Sequence, residues 1–412
     1  MSDNIIVGLD VGSRAVRMVA GELFVARDKE QLHILGAVES PSEGMKKGVV
    51  SNIEDLVSSI SVCRERLERL IGRPVESAYV SINSNQVLCQ ESKGLVGVAK
   101  TNGEVERDDT ERALEQAQTI ATPSNYEILH VMPRGYSVDG QPNIKDPIGM
   151  TGIRLEVDTI LIQVPRPHLK NLTKCIHRTG LNINNVVLGI LSNAESLLTS
   201  RQKDVGAVVI DIGASTTAMT VFEEGDLIHV AALPIGADYI TQDINLCFKI
   251  SLDVAEKIKI KHGSAVPKGI SKKEEIELAK EGYTEEESIS RRALAEVIEA
   301  RVEEIFTLVN VELKKIGRSG LLPAGVVLCG GGARLDGIVE LAKKELKLPV
   351  ALGYPLDLSS VSEKISDTAF TTAISLVKWG AEDAIVGDAV KDVWKKLKQI
   401  TGKGTNFLKG GF

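Results

Sequence analysis

Aromatic residues are scarce in this 412-residue chain, at 4%, and the apolar content is mainly aliphatic. The five cysteines, Cys63, Cys89, Cys175, Cys247 and Cys329, are odd in number and have no CxxC spacing. That excludes a disulfide or zinc framework and reads as buried thiols in a reducing compartment. The six histidines form no metal-ligand pair at helical spacing, which argues against a zinc hydrolase. There is no GxxxxGK followed by Ser or Thr, and no GxGxxG after the first strand, so neither a Walker-type loop nor a dinucleotide Rossmann site is expected. No apolar run approaches the roughly 20 residues that span a bilayer. Met1-Ser2-Asp3-Asn4 enters a strand without a basic and apolar leader, so a cytoplasmic chain lacking a signal peptide is expected. Net charge is −7, and nucleic acid is not an expected partner.

What is present is a repeated turn. Ile5-Ile6-Val7-Gly8-Leu9-Asp10-Val11-Gly12-Ser13 recurs half a chain later as Val208-Val209-Ile210-Asp211-Ile212-Gly213-Ala214-Ser215-Thr216. In each, a β-branched strand ends at a carboxylate, and a glycine beside small residues lets the backbone turn sharply and approach a ligand. Further strands follow in the same order, at about 15–21 and 32–39 after Asp10 and at 217–222 and 227–233 after Asp211. The long period points to a duplicated domain and not to a solenoid, whose repeats run about 20 to 50 residues. The length fits two to four domains or subdomains.

Helical periodicity marks residues 54–70, with a stripe of Leu56, Ile60, Cys63, Leu67 and Leu70 ended by Gly72 and Pro74, before a strand at 78–82. From about 84 to 163 the texture changes to strands at 86–99, 127–138 and 154–164 with one polar helix at 107–121, the pattern of a small α+β insertion. A helix at 169–179, a strand at 183–187 and a helix at 192–199 lead into the second repeat. After Gly236 the chain turns helical and charged, with amphipathic segments at 238–249 and 252–261, a charged stretch at 268–288 and a long helix at 289–316. A third glycine element, Gly330-Gly331-Gly332-Ala333, follows a buried strand and precedes a helix at 336–345. Bare backbone there accommodates a flat base or ribose.

Chemically, Asp10 and Asp211 are the candidate Mg²⁺ ligands, because this ion is held by one or two carboxylates plus substrate phosphates. The amides and hydroxyls of Gly12, Ser13, Gly213, Ala214, Ser215 and Thr216 are candidates to bind phosphate oxygens. Arg14 and Arg17 can add positive charge, and Gly236, Gly331, Gly332 and Ala333 complete the expected nucleotide contacts. On these features alone a kinase, a chaperone and a filament protein all remain open.

Together, the Asp10 turn, the Asp211 turn and Gly330-Gly331-Gly332 resemble the duplicated, ribonuclease H-like ATPase fold of actin, sugar kinases and the large heat-shock chaperones. Asp146-Pro147-Ile148-Gly149-Met150-Thr151-Gly152-Ile153-Arg154-Leu155-Glu156, preceded by His130-Val131-Met132-Pro133 and Tyr136-Ser137-Val138-Asp139, is similar to the insertion of the bacterial cell-division actins of the FtsA family. The resemblance implies an α/β protein of two lobes with ATP and Mg²⁺ between them. It implies subdomain 1A at 1–83 and 163–203 with a closing helix at 366–383, and 1C at 84–162. Subdomain 2A would hold 204–237 and 321–365, 2B would hold 238–320, and a linker and membrane-targeting helix would occupy 384–412. Glu256 and Lys259 match the family's ribose-contacting stretch. The implied partners are FtsZ, whose carboxyl-terminal peptide would meet 2B, further copies of the chain in a filament, and other divisome proteins through 1C. The implied location is the cytoplasmic face of the inner membrane at the division site. Relatives that hydrolyse ATP briskly often place a polar side chain before the helix leading into the second turn. Here that stretch is Leu188-Gly189-Ile190-Leu191-Ser192, so hydrolysis is expected to be slow at most.

The last segment is basic in an acidic chain. Residues 388–400 carry Val390, Val393, Trp394, Leu397 and Ile400 on one helical face and Lys395 and Lys396 elsewhere. From Val393 to Phe412 there are five lysines and no acid. Such a helix is too short to span a membrane but suits an anionic headgroup layer. A PilM-like actin-fold protein of type IV pilus assembly is the alternative, against which this tail argues. A sugar-kinase-type phosphotransferase is less favoured, since it requires a catalytic base near the cleft and no acidic residue stands out for that role.

Overall fold

The computed structural model describes residues 5–26, 29–120, 122–281, 288–360 and 363–385. The tail expectation, with Val390, Val393, Trp394, Lys395, Lys396, Leu397 and Ile400, lies outside the described residues.

Strands β1 (Ile5–Val11), β2 (Ala15–Ala26) and β3 (Lys29–Pro41) form an antiparallel meander in which Asp10 stands opposite Arg17. A small hairpin, β4 (Met45–Lys46) and β5 (Val49–Val50), leads to α1 (Ile53–Ile71) and then to β6 (Ser77–Ile82). Helix α1 begins where Asn52 Oδ1 accepts the amides of Glu54 and Asp55, and it ends at Gly72 in the left-handed region. Its Leu56, Ile60, Cys63 and Leu67 are fully buried against the sheet, whereas Leu70, expected on the same stripe, is 56% exposed.

The insertion contains β7 (Leu88–Gly97), α2 (Arg107–Ala117), β8 (Tyr126–Val138), β9 (Gln141–Ile144) and β10 (Arg154–Pro165), an antiparallel sheet in the order β7-β10-β8-β9. Strand β10 alternates between two cores. Leu155, Val157 and Leu161 pack with Ala113, Leu114 and Ala117 of α2, while Ile160, Ile162 and Val164 join the main core.

The chain returns through α3 (Arg166–Arg178), β11 (Asn182–Leu188), α4 (Gly189–Leu197) and α5 (Ser200–Val205). The second meander is β12 (Ala207–Ile212), β13 (Thr217–Glu223) and β14 (Asp226–Leu233). Helices α6 (Ala237–Phe248) and α7 (Leu252–His262), the paired β15 (Glu275–Glu277) and β16 (Ser288–Ser290), and α8 (Arg291–Lys315) follow. Strand β15 stands in what the sequence presents only as a charged stretch, and β16 takes the first residues of the helix expected at 289–316, which begins at Arg291. Then come β17 (Gly325–Cys329), α9 (Ile338–Leu346), β18 (Val350–Leu352), β19 (Leu358–Ser360) and α10 (Thr371–Ile385).

The duplication is explicit in the sheets. One reads β11-β6-β1-β2-β3-β19 and the other β18-β17-β12-β13-β14, so five strands recur in the same order with the same pairing directions. Strand β19 runs parallel to β3, so the chain has already rejoined the first sheet by Leu358, ahead of the boundary expected after 365. Helix α10 then lies directly on β1: a Cβ at Gly8 would sit 2.1 Å from the Ala373 carbonyl. Helices α4 and α10 pack together between the lobes.

The insertion is seated on the first lobe through His130 of β8, whose Nε2 accepts the Leu188 amide at 3.0 Å while its ring lies 6.0 Å from Trp379. Burial pushes this imidazole down to about 4, against 6.5 in a solvated histidine. The neutral form is therefore the stabilising one. Its contribution is complete above pH 6.5 and is lost as pH falls from 6.5 through 4, a total of about 3 kcal/mol for that shift. Urea unfolding between pH 7 and 4 should show this loss, and His130→Gln should remove that component of the pH dependence.

Candidate functional site

The two aspartate turns meet across one cleft of about 1050 Å³. Of the residues expected to bind nucleotide or metal, it is lined by Asp10, Gly12, Ser13, Arg14, Arg17, Asp211, Gly213, Ala214, Ser215, Thr216, Glu256, Lys259, Gly331 and Gly332. Gly236 and Ala333 do not line it. Gly236 is pressed against the back of the second turn, where a Cβ would lie 2.6 Å from the carbonyls of Gly213 and Ala214. That closeness lets the first amides of α6, Ala237 and Asp238, bond to those two carbonyls. Ala333 is 1% exposed and belongs to the core of the second lobe.

Both turns close in the same way. Gly12 N–H donates to the Ala15 carbonyl at 3.1 Å, and Gly213 N–H to that of Thr216 at 2.9 Å. These two glycine amides, expected to be ligand donors, are thus spent on the turn itself. The amides of Ser13, Arg14, Ala214 and Ser215 donate to no protein acceptor among the described residues, which leaves them open to a ligand as candidate anion nests. The Ser215 hydroxyl is buried without a partner, and its residue lines the cleft. Ser13 Oγ accepts the Gly48 amide at 3.0 Å and so ties the β4–β5 hairpin to the first turn.

Each carboxylate is held from one side. Asp10 Oδ1 accepts from Ser81 Oγ at 2.6 Å and from Asn83 Nδ2 at 3.2 Å. Asp211 Oδ2 accepts from Asn193 Nδ2 at 2.9 Å and from Thr372 Oγ1 at 3.3 Å. Burial raises the pKa of both. Asp211 reaches about 6, first by desolvation and then by the negative charge of Asp10, with Thr372, Asn193 and Arg17 opposing. Two desolvated, mutually repelling carboxylates that keep further oxygens uncommitted fit a hard divalent cation, which would relieve both penalties. No cluster of three or more histidine, cysteine or acidic residues suited to a metal occurs among the described residues, so phosphate and water oxygens would supply the remaining coordination.

The glycine element divides its work. Gly330 has φ +86°, and a Cβ there would lie 2.2 Å from Asp211 Oδ1; at Gly332 it would lie 2.5 Å from Ile212 Cγ2. Both are demanded by packing against the second turn. At Gly331 the nearest atom would be the Ala369 Cβ at 3.9 Å, so this residue presents bare backbone to the cleft.

Facing it, Lys259 Nζ lies 2.6 Å from Glu256 Oε2 and donates to Thr241 Oγ1 at 2.8 Å. Burial lowers the Lys259 pKa. Burial alone would raise that of Glu256, but the Lys259 ammonium, Thr241 and Arg14 together hold it below the usual range. Arg14 crosses from the first lobe to Asp238 at 3.6 Å and Glu256 at 3.4 Å. Arg17 pairs with Glu39 at 3.2 Å, with its guanidinium 5.5 Å from the Phe370 ring centroid.

Sequence reasoning missed Ser81, Asn83, Asn193 and Thr372. Asn83 matters most, because the sequence around Gly189 itself offers no carboxylate or glutamine. A Cβ at Gly189 would lie 2.2 Å from Asn83 Oδ1, so an amide just past the end of β6 fills that place.

Residues 208–375 match the family model described as Cell division protein FtsA, and residues 84–163 match that of the SHS2 domain inserted in FTSA. Over 381 residues the chain is 36% identical to the cell division protein FtsA of Pseudomonas aeruginosa, covering 92% of this chain and 90% of that one. It is 35% identical over 404 residues to that of Borreliella burgdorferi (98% and 95%) and 30% identical over 405 residues to that of Escherichia coli K12 (97% and 95%). Among solved structures, a PilM-PilN type IV pilus biogenesis complex matches with TM-score 0.66 at 16% identity, covering 91% of this chain and 98% of that one. MreB5 of Spiroplasma citri bound to ADP matches with TM-score 0.53 at 15% identity (92% and 97%). These structural likenesses show an actin-like fold, and the PilM likeness goes no further than that. The sequence relatives decide the family: the chain belongs to the FtsA family of cell-division proteins, with an actin-like fold that carries an inserted SHS2 domain.

Proposed function

We propose that this chain binds ATP with Mg²⁺ between its lobes and uses it as a conformational ligand while polymerising and tethering FtsZ filaments to the cytoplasmic face of the inner membrane at the division site. The carrying observation is the convergence of Asp10, Asp211 and the open amides of both turns on one cleft. Asp10 and Asp211 hold the metal, the two nests take the phosphates, and Gly331 with Glu256 and Lys259 frames the nucleoside. Turnover stays below about one per minute, far under the typical enzyme rate near 10 s⁻¹. Residues 238–320 receive the FtsZ carboxyl-terminal peptide, and the inserted domain meets other divisome proteins.

Membrane attachment falls to residues 390–400 through Val390, Val393, Trp394, Leu397 and Ile400, with Lys395 and Lys396 among the lysines that each contribute roughly 1 kcal/mol near an anionic leaflet. Sedimentation with anionic phospholipid vesicles, with and without ATP, tests this part. The full chain is expected to pellet and a truncation after Gly387 to stay in the supernatant; equal pelleting of both would overturn the assignment.

A further inference from the structure

The two halves of the duplication differ at one telling place. In the first sheet Leu9 pairs with Val80, which sets Asp10 beside Ser81; in the second, Asp211 pairs with Cys329. Two residues further on, the first half carries Asn83 and the second carries Gly331. One arm of the cleft is therefore bare backbone, and the other ends in an amide.

That amide has a defined orientation. Its Nδ2 donates to Asp10 Oδ1 at 3.2 Å and reaches Ser81 Oγ at 3.4 Å. An ionised carboxylate only accepts, so the nitrogen end must face Asp10. Oδ1 points the other way, into the space that any side chain at 189 would fill, and it accepts no hydrogen bond among the described residues. Asn83 also lines the cleft beside Gly12 and Thr216.

We propose that Asn83 positions the water that attacks the terminal phosphate of ATP, an inference that rests on the nucleotide reading above. The water oxygen bonds to the γ-phosphorus as the bond from that phosphorus to the β–γ bridging oxygen breaks. The electron pair leaves on ADP, and the water proton passes to phosphate oxygen and then to solvent. Asn83 takes no proton: its carbonyl accepts a hydrogen bond from the water and turns a lone pair toward phosphorus. Without a general base the step stays slow.

The test compares full-length wild type with Asn83→Ala in three measurements: affinity for Mg²⁺ with AMP-PNP, affinity for Mg²⁺ with ADP and aluminium fluoride, and single-turnover phosphate release. Asn83→Ala should weaken AMP-PNP binding by no more than about tenfold, because Asp10 loses one of its two donors, yet weaken aluminium-fluoride binding by at least about tenfold more and lose at least about tenfold in release rate, since only the transition-state mimic holds the positioned water. Gly189→Ala, which displaces the amide, should give the same losses, and the double variant should be no worse than either. Saturable AMP-PNP binding shows that each variant is folded. Equal weakening of both ligands would overturn the proposal and assign Asn83 a role only through Asp10, and unchanged release would overturn it as well. Failure of the wild type to bind AMP-PNP at all would instead sink the nucleotide reading.

Discussion

Gly94→Ala is expected to destabilise the inserted domain by about 3 kcal/mol, at the upper end of overpacking costs. Gly94 lies on edge strand β7, opposite Val157 of β10. A Cβ there would be 1.8 Å from the Ala113 carbonyl oxygen, 2.8 Å from its carbon and 2.9 Å from the Ala117 nitrogen. All three are backbone atoms of α2, so no side-chain rotation relieves the overlap; the whole helix must lift. Lifting it opens the small core of Val105, Ala113, Leu114, Ala117, Val131, Val138, Leu155, Val157 and Leu161. Since Ile160, Ile162 and Val164 belong to the main core, the lobes should remain folded. Calorimetry should resolve a separate, lower transition for the variant, with ATP binding retained. A loss under about 1 kcal/mol would mean that α2 has room to move.

Much of this architecture was legible in the chain. The Asp10 and Asp211 turns gave the duplication because strand, carboxylate and glycine recur in register, and both sheets then follow one order. The texture of 84–163 gave the insertion, whose strands fall within a few residues of expectation. Less legible was the division of labour inside the motifs. All three glycines of Gly330-Gly331-Gly332 look alike in sequence and line the cleft, yet at two of them a side chain would collide with Asp211 and Ile212, and only at Gly331 would one have room. Likewise Gly12 and Gly213 look like amide donors, but their own turns consume those amides.

The groups that hold the carboxylates were out of reach for another reason. Asn193 and Thr372 come from α4 and α10, which meet Asp211 only because the closing helix returns from the far end of the chain. A signal existed in the small polar faces of those helices, Ser192, Asn193 and Ser196 on one and Thr371, Thr372 and Ser375 on the other, all buried. Asn83 is not legible as the polar group near Gly189 because it comes from another part of the chain, the segment that follows β6, and reaches across the gap that glycine leaves.

Substitution of Asp211 should have an equally large effect. Its carboxylate is destabilised by burial and by Asp10, so the folded protein bears a cost to present it. Asp211→Asn removes that charge while retaining an acceptor for Asn193 and Thr372. Stability at neutral pH should therefore hold or rise, while affinity for ATP with Mg²⁺ falls about 100-fold, close to 2.7 kcal/mol. Without Mg²⁺, ATP should bind the variant at least as well as wild type, because a negative charge has gone from the phosphate site. Titration of ATP into wild type and Asp211→Asn, each with Mg²⁺ and with EDTA, tests the nucleotide cleft most directly. Wild type should show strong Mg²⁺ dependence and the variant almost none; equal Mg²⁺ dependence in both would remove Asp211 from the metal site, and no saturable binding by wild type would overturn the nucleotide cleft itself.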